Sequence, residues 1–132
     1  MKYILMMLGT KAGFESYLQW SKEDLERNIT FMRDLAAALR NEGVLVSTEG
    51  LAFPNEAKVV RAGPDGVPIT DGVFPESKEF LAGYWIVDVD SDEDAYRIAA
   101  RISAAPAGGG LKGSMPIEVR RIMSGAEEFS SE

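Results

Sequence analysis

Two apolar segments, residues 2–8 and 80–89, carry apolar side chains at both odd and even positions. A strand with one face in water alternates apolar and polar side chains, because successive side chains point to opposite faces of the sheet. Neither segment alternates in this way. Each face of the first strand would carry three apolar side chains: Tyr3, Leu5 and Met7 on one face, and Ile4, Met6 and Leu8 on the other. Both faces of these strands are therefore predicted to be buried.

Two helices are predicted from capping residues that are followed by apolar side chains at helical spacing. The first begins at Ser21, three residues before Asp24, and ends at Gly43. The second begins at Ser91, three residues before Asp94. Their apolar faces are predicted to be Leu25, Ile29, Met32, Leu35, Ala36 and Leu39 in the first helix, and Ala95, Ile98, Ala99 and Ile102 in the second.

The remaining strands are short apolar runs, predicted at residues 44–47, 58–61, 67–70 and 117–123. The two middle runs flank Gly63-Pro64-Asp65-Gly66, which has proline second and glycine fourth, as in a type I turn, and they are predicted to form a hairpin. The order of elements predicts an α+β fold, a ferredoxin-like split βαβ arrangement with an inserted β-hairpin.

The sheet face that the two helices leave uncovered needs another cover. A second copy of the sheet is the simplest one, which predicts a homodimer in the form of a dimeric α+β barrel. In the alternative, the loops predicted at residues 9–20 and 104–115 close this face within one chain. We predict one domain, residues 1–124, in which the Ala/Gly-rich segment 104–113 is a flexible connection, and a flexible acidic tail at residues 125–132.

Charge and composition exclude several functions. The net charge of −7 opposes binding to nucleic acid and to anionic membrane surfaces, and the apolar start of the chain is too short to span a membrane. The chain has no cysteine, so a cytoplasmic location is predicted. It also has no histidine, so any chemistry must use Asp, Glu, Lys, Tyr or Arg.

No cofactor or metal site is predicted. Gly108, Gly110 and Gly113 have the spacing of a dinucleotide-binding loop, but their segment follows a helix and enters a strand, which is the wrong context. The acidic residues at alternate positions from Asp88 to Asp94 have the spacing of a calcium loop. They lack its glycine and its last glutamate, so they are interpreted as helix-capping residues.

The segment Asp71-Gly72-Val73-Phe74 and the residues after it, through Ser91, resemble the YCII-related family, in the branch named for an Asp-Gly-Pro-Phe motif. Val73 stands where that motif has proline, and the histidine of a catalytic pair suggested in some relatives has no counterpart here. The resemblance implies a dimeric α+β barrel with a ligand-binding or active-site cleft around the Asp-Gly motif. Since relatives are often found beside or fused to extracytoplasmic-function sigma factors, it also implies a link to sigma-factor regulation.

Asp71 and Glu76 are the candidate catalytic residues. Two neighbouring carboxyl groups could divide the roles of acid and base, one held protonated and one ionised. The alternative for Asp71 is an Asx-type turn, a common use of aspartate before glycine. The candidate ligand-binding residues are Gly72, Phe74, Lys78, Tyr84 and Arg120. Solvated charges for Lys78 and Arg120, and core packing for Tyr84, are the alternatives.

Two functions are compatible with these residues. In the first, the protein binds a small polar molecule near the Asp-Gly motif and has a binding or regulatory role. In the second, it is a small cofactor-free enzyme of the lyase or isomerase type, in which Asp71 or Glu76 moves a proton.

Overall fold

The computed structural model describes residues 1–73, 79–125 and 128, with the backbone alone at residues 71–73. Its helices are α1 (Lys11–Tyr17), α2 (Lys22–Asn41) and α3 (Asp92–Ser103). Its strands are β1 (Lys2–Thr10), β2 (Leu45–Gly50), β3 (Lys58–Ala62), β4 (Pro68–Val73), β5 (Glu79–Asp88) and β6 (Ile117–Arg121). Short 3-10 helices lie at Pro54–Glu56 and Gly108–Gly110.

Four strands form one sheet in the order β2-β5-β1-β6, and each neighbouring pair is antiparallel. This order, with α2 after β1 and α3 after β5, is the ferredoxin-like arrangement, so the predicted α+β fold is confirmed. The inserted hairpin is formed by β3 and β4. Its turn follows the prediction, because the Gly66 amide donates to the Gly63 carbonyl at 2.9 Å.

One face of the central strands is buried under the helices. Leu5 on β1 lies opposite Trp85 on β5, and Leu5 is 0% exposed. Leu39 of α2 and Ile102 of α3 belong to the same core and are also fully buried. The first part of the sequence prediction, a sheet face covered by two helices, is therefore confirmed.

The opposite face of the sheet is only half-buried within one chain. Ile4 lies opposite Ile86, and Met6 lies opposite Tyr84, so four large side chains form an apolar patch on the two central strands. We call these four residues the open-face patch. Since they keep part of their surface in contact with solvent, a single chain does not bury both faces.

The segments 9–20 and 104–115 do not close this patch. Part of the first forms α1, and residues of both, such as Phe14 and Ala105, line a cavity together with Met7 and Trp85. Met7 and Trp85 belong to the helix-facing side of the sheet. Both segments therefore extend the cover on the helix side.

The predicted apolar face of α2 is wrong at Ile29, which is 49% exposed. The inward positions in this half of the helix are taken by Asp24 and Asn28, which bind the backbone of residues 106–109. Tertiary hydrogen bonds thus displace the apolar stripe that periodicity alone predicted. Leu35, Ala36 and Leu39, in the second half of α2, are buried as predicted.

Both predicted helix caps are present. The Ser21 hydroxyl accepts a hydrogen bond from the Asp24 amide at 3.1 Å, and the Ser91 hydroxyl accepts from the Asp94 amide at 3.2 Å. In the predicted acidic tail, Glu128 accepts hydrogen bonds from the Arg121 guanidinium. Across the described parts of the chain, no helix is both long and apolar enough to cross a membrane.

The two environments along α2 give a direct test of the fold. Leu39→Ala should lower the free energy of unfolding by about 2–5 kcal/mol, because it leaves a cavity in a fully buried site. Ile29→Ala, in the same helix but half exposed, should cost less than about 1 kcal/mol. Urea denaturation followed by circular dichroism measures both. Equal losses for the two variants would contradict this arrangement of α2.

Candidate functional site

A cavity of about 880 Å³ lies at the end of the sheet where β1 runs into α1. It is bordered by α1, the first half of α2, the segment after β2 and the segment 105–116, and it is open to solvent on one side. Its volume falls within the range of about 300–1,000 Å³ that is typical of ligand pockets in proteins. Size and position make it the candidate functional site.

Aromatic side chains form one wall of the cavity. Phe14 is central: its ring centroid lies 4.8 Å from that of Phe53 and 6.4 Å from that of Phe80, both in edge-to-face geometry. Tyr17, one turn after Phe14 on α1, continues the row at 6.0 Å from Phe53 and 5.0 Å from Trp20. The five rings therefore form one continuous cluster that borders the cavity.

The start of α1 sets this cluster in place. The Thr10 hydroxyl caps the helix by accepting from the Gly13 amide at 3.0 Å. Gly9 precedes the cap, and a Cβ atom at this position would lie 2.7 Å from the ring of Phe80. A side chain at residue 9 would thus displace that ring from the cluster.

The inner wall of the cavity belongs to the hydrophobic core. Met7 and Trp85 line it from the sheet, and Met32 and Ile102 line it from the helices. The Trp85 Nε1 atom donates to the Met7 Sδ atom at 3.3 Å, which satisfies the indole N–H inside an apolar site. The cavity is therefore continuous with the protein interior.

The segment 105–113 borders the cavity and is held by α2. The Gly109 amide donates to Asp24 Oδ2 at 3.0 Å, and Asn28 Nδ2 donates to the Pro106 carbonyl at 3.0 Å. The other oxygen of Asp24 accepts from the Arg27 guanidinium. The hydrogen bond from Gly109, and then the contact with Arg27, hold the pKa of the Asp24 carboxyl below its usual value. Asp24 is therefore an ionised anchor for this segment.

Two glycines of this segment, Gly108 and Gly113, allow close packing, while the flexibility of the segment stays a prediction from the sequence. A Cβ atom at Gly113 would lie 1.9 Å from the Ala105 carbonyl oxygen, which no side chain can occupy. A Cβ atom at Gly108 would lie 2.6 Å from Nε1 of Trp20. Without side chains at these two positions, the segment can pack against the backbone of Ala105 and against Trp20 of the aromatic cluster.

The two predicted ligand-binding residues on the main sheet lie elsewhere. Tyr84 and Arg120 are paired with Met6 and Ile4 of β1, on the face opposite the helices. They stand on β5 and β6 with β1 between them, so their backbones are about 9–10 Å apart at the closest. The structure does not bring them together at the cavity.

The Asp-Gly motif lies in strand β4. Asp71 is paired with Val59 and Val73 with Lys58, so Gly72 is the extra residue of a β-bulge. The backbone of Asp71 is therefore that of a strand, whereas a turn had been the alternative. The side chain of Asp71 is outside the described part of the structure, and so are Phe74, Glu76 and Lys78 entirely.

The residues that build the cavity were missed by the sequence analysis. Two signals were present: the aromatic residues gathered between Phe14 and Trp20, and two polar residues, Asp24 and Asn28, one turn apart on α2. Neither signal says which backbone atoms the side chains meet. The site therefore became visible only with the tertiary structure.

The role of Asp24 predicts a pH-dependent stability. Because the folded state lowers the pKa of Asp24, its stabilisation is present above the pKa of the unfolded chain, about 3.9, and is lost as the pH falls through the folded value. Asp24→Asn should lower the melting temperature at pH 7, and the gap to the wild type should narrow at acidic pH. Asp34→Asn, an exposed position of the same helix, should melt like the wild type. A gap of constant size at every pH would contradict this role.

Two comparisons relate this structure to known proteins. The model of the YCII-related domain matches residues 1–117, a range that includes the cavity and ends at the first residue of β6. An uncharacterised protein of Rhizobium meliloti (strain 1021) is 35% identical over 89 residues, which are 65% of this chain and 69% of that protein. The matched range contains the helices and the first five strands in the order described above. The chain belongs to the YCII-related family.

Proposed function

We propose that this protein binds a small organic molecule in the cavity bordered by the aromatic cluster and has a binding or regulatory role. The observation that carries the proposal is the cavity itself, which combines a ligand-sized volume with an aromatic wall and a bordering segment that is anchored to α2. Pockets of this kind, apolar with a few placed polar groups, are the usual sites for small molecules. The proposal moves the site from the Asp-Gly motif to the cavity.

The cavity favours binding over proton transfer. Two acidic residues are among the described residues that line it, Asp24 and Glu49. Both oxygens of Asp24 are occupied by hydrogen bonds from the protein. Glu49 is paired with Tyr84, so the alternation of β2 places its side chain on the opposite face of the sheet. Neither carboxylate is placed to exchange a proton with a bound molecule.

The enzyme hypothesis stays a prediction, since it depends on the side chains of Asp71 and Glu76. The branch named for the Asp-Gly-Pro-Phe motif, the link to sigma factors and the cytoplasmic location likewise stay predictions from the sequence.

A thermal-shift screen against small acids, phenols, lactones and amines tests the binding function. A ligand at a hundred times its dissociation constant should add about 2.7 kcal/mol to the stability of the folded state. Phe53→Ala should weaken the hits by at least about tenfold, because it removes the ring between Phe14 and Tyr17.

Tyr96→Ala is the matched control, because Tyr96 is an exposed aromatic residue of α3 outside the described lining of the cavity. It should leave the affinities unchanged. A screen without hits, or hits that both variants weaken equally, would contradict the proposed site.

We also propose that the protein is a homodimer in which two open-face patches meet. Ile4, Met6, Tyr84 and Ile86 lie on adjacent strands and keep part of their apolar surface exposed in one chain. A two-fold axis would bring the same patch of a second chain against them and form the predicted barrel. This contact would bury the second face of the sheet, as the sequence pattern requires.

Sedimentation tests the dimer. The wild type should have about twice the chain mass at micromolar concentration. Ile86→Asp should produce a folded monomer, because it would bury a charge in the contact. Ile29→Asp, at an exposed position of α2 on the helix side, should remain dimeric. A wild-type protein with the mass of one chain would contradict the proposal.

A further inference from the structure

The charges around the cavity restrict the ligand that it can hold. Its described lining includes no lysine and no arginine, and its carboxylates are Asp24 and Glu49. Asp24 is neutralised by Arg27, and Glu49 belongs to the other face of the sheet. An anion would find no cationic partner in this lining, and a cation would have to compete with Arg27. Since burying an unpaired charge is costly, the site favours an uncharged molecule.

The aromatic cluster restricts the shape of the ligand. Phe14 meets Phe53 at an interplanar angle of 66° and Phe80 at 87°, so ring edges point toward ring faces along the wall. Another ring placed in the cavity can continue this edge-to-face pattern, which favours aromatic pairs beyond the area they bury. Phe53 is 42% exposed, so part of its surface is available for such a contact. An aromatic ligand fits this wall.

Several polar side chains of the lining bind other parts of the protein. Thr48 donates its hydroxyl proton to the Tyr84 carbonyl at 3.0 Å, and Ser103 donates to the Met115 carbonyl at 2.7 Å. Asn28 donates its amide N–H to Pro106, and within the described structure its Oδ1 atom receives no hydrogen bond. Asn28 is half-buried, so this oxygen is an acceptor that a ligand can satisfy.

On the basis of the proposed function, we infer that the ligand is an uncharged, mainly apolar aromatic compound with one hydrogen-bond donor, such as a phenol or an aryl amide, and that Asn28 Oδ1 accepts this hydrogen bond. The aromatic cluster selects the ring, the lining excludes charge, and Asn28 orients the polar end. Asn28 is thus the residue that determines specificity for the donor group.

Four matched probes test this inference by calorimetry: 4-ethylphenol, 4-ethyltoluene, 4-ethylbenzoate and 4-ethylbenzylammonium. They share the ethyl-substituted ring and differ in the group opposite the ethyl substituent, which is a hydroxyl, a methyl, a carboxylate or an aminomethyl cation. In the wild type, 4-ethylphenol should bind about fivefold tighter than 4-ethyltoluene, the effect of one net hydrogen bond, and at least about tenfold tighter than either charged probe.

Asn28→Leu should reduce the preference for the phenol over the toluene to about one, and Tyr96→Ala, outside the described lining, should leave it unchanged. The readout is the ratio of the affinities for 4-ethylphenol and 4-ethyltoluene within one variant. A variant that weakens both probes equally therefore leaves this ratio unchanged. If Asn28→Leu fails to fold, Asn28→Asp is used; it keeps an acceptor oxygen and should keep the preference, and loss of the preference there would overturn the inference.

An unchanged preference in Asn28→Leu, tighter binding of a charged probe, or no binding of 4-ethylphenol would each overturn this inference. The proposed function would survive these results as long as the thermal-shift screen gives hits that Phe53→Ala weakens. If the screen is also empty, both fail.

Discussion

Tyr3, Leu5, Trp85 and Val87 are almost completely shielded from solvent by α2 and α3. Because side chains alternate along a strand, burying these four residues fixes the face of every residue from Lys2 to Met7 and from Gly83 to Asp88, on one side of the bulge between β1 and β5. A one-residue shift of either strand would turn its side chains over and place Ile4 of β1, or Ile86 of β5, in the core instead. The helix-facing side of two central strands thereby positions both the cavity and the open-face patch.

The cavity lies where the helix-facing side of the sheet is covered by the segment 105–116 as well as by helices. In the second half of α2, apolar side chains belong to the core on the sheet, whereas in the first half Asp24 and Asn28 bind the backbone of residues 106–109. Apolar residues such as Met7 and Trp85 thus continue into a space that the helices do not fill. Polar groups inside a protein are costly unless they are hydrogen-bonded, and these two side chains each bind backbone atoms. These contacts therefore tie the segment that borders the cavity to α2.

Local rules allowed much of the fold to be predicted from the sequence. The caps at Ser21 and Ser91 and the turn at Gly66 depend on residues three positions apart, and each is present. Ile29 was assigned incorrectly because its environment depends on residues 106–109, which are distant in sequence. The close approach of Gly113 to the carbonyl of Ala105 could not be predicted either, because no local pattern encodes it.

The candidate site was less predictable, because alternation shows that two residues lie on opposite faces without showing which face carries a cavity. Tyr84 and Trp85 are neighbours on β5 and point to opposite faces of the sheet. Trp85, and not Tyr84, faces the cavity, because the helices and the segment 105–116 gather on its side. The resemblance around Asp71 identified the family, while the site of the described structure is built from α1, α2 and residues far from that motif.

The methionine methyl groups give the most direct test of the claim that the cavity is the ligand site. Met7, Met32 and Met115 line it, whereas Met1, Met6 and Met123 are absent from its described lining. Carbon-13 labelled methyl groups, assigned by single Met→Leu variants, can be followed by NMR during titration with a hit from the screen. The account predicts that the signals of Met7, Met32 and Met115 shift in a saturable way and that those of Met1, Met6 and Met123 do not. A saturable shift at Met6 without shifts at Met7 and Met32 would place the ligand on the opposite face of the sheet and contradict the account.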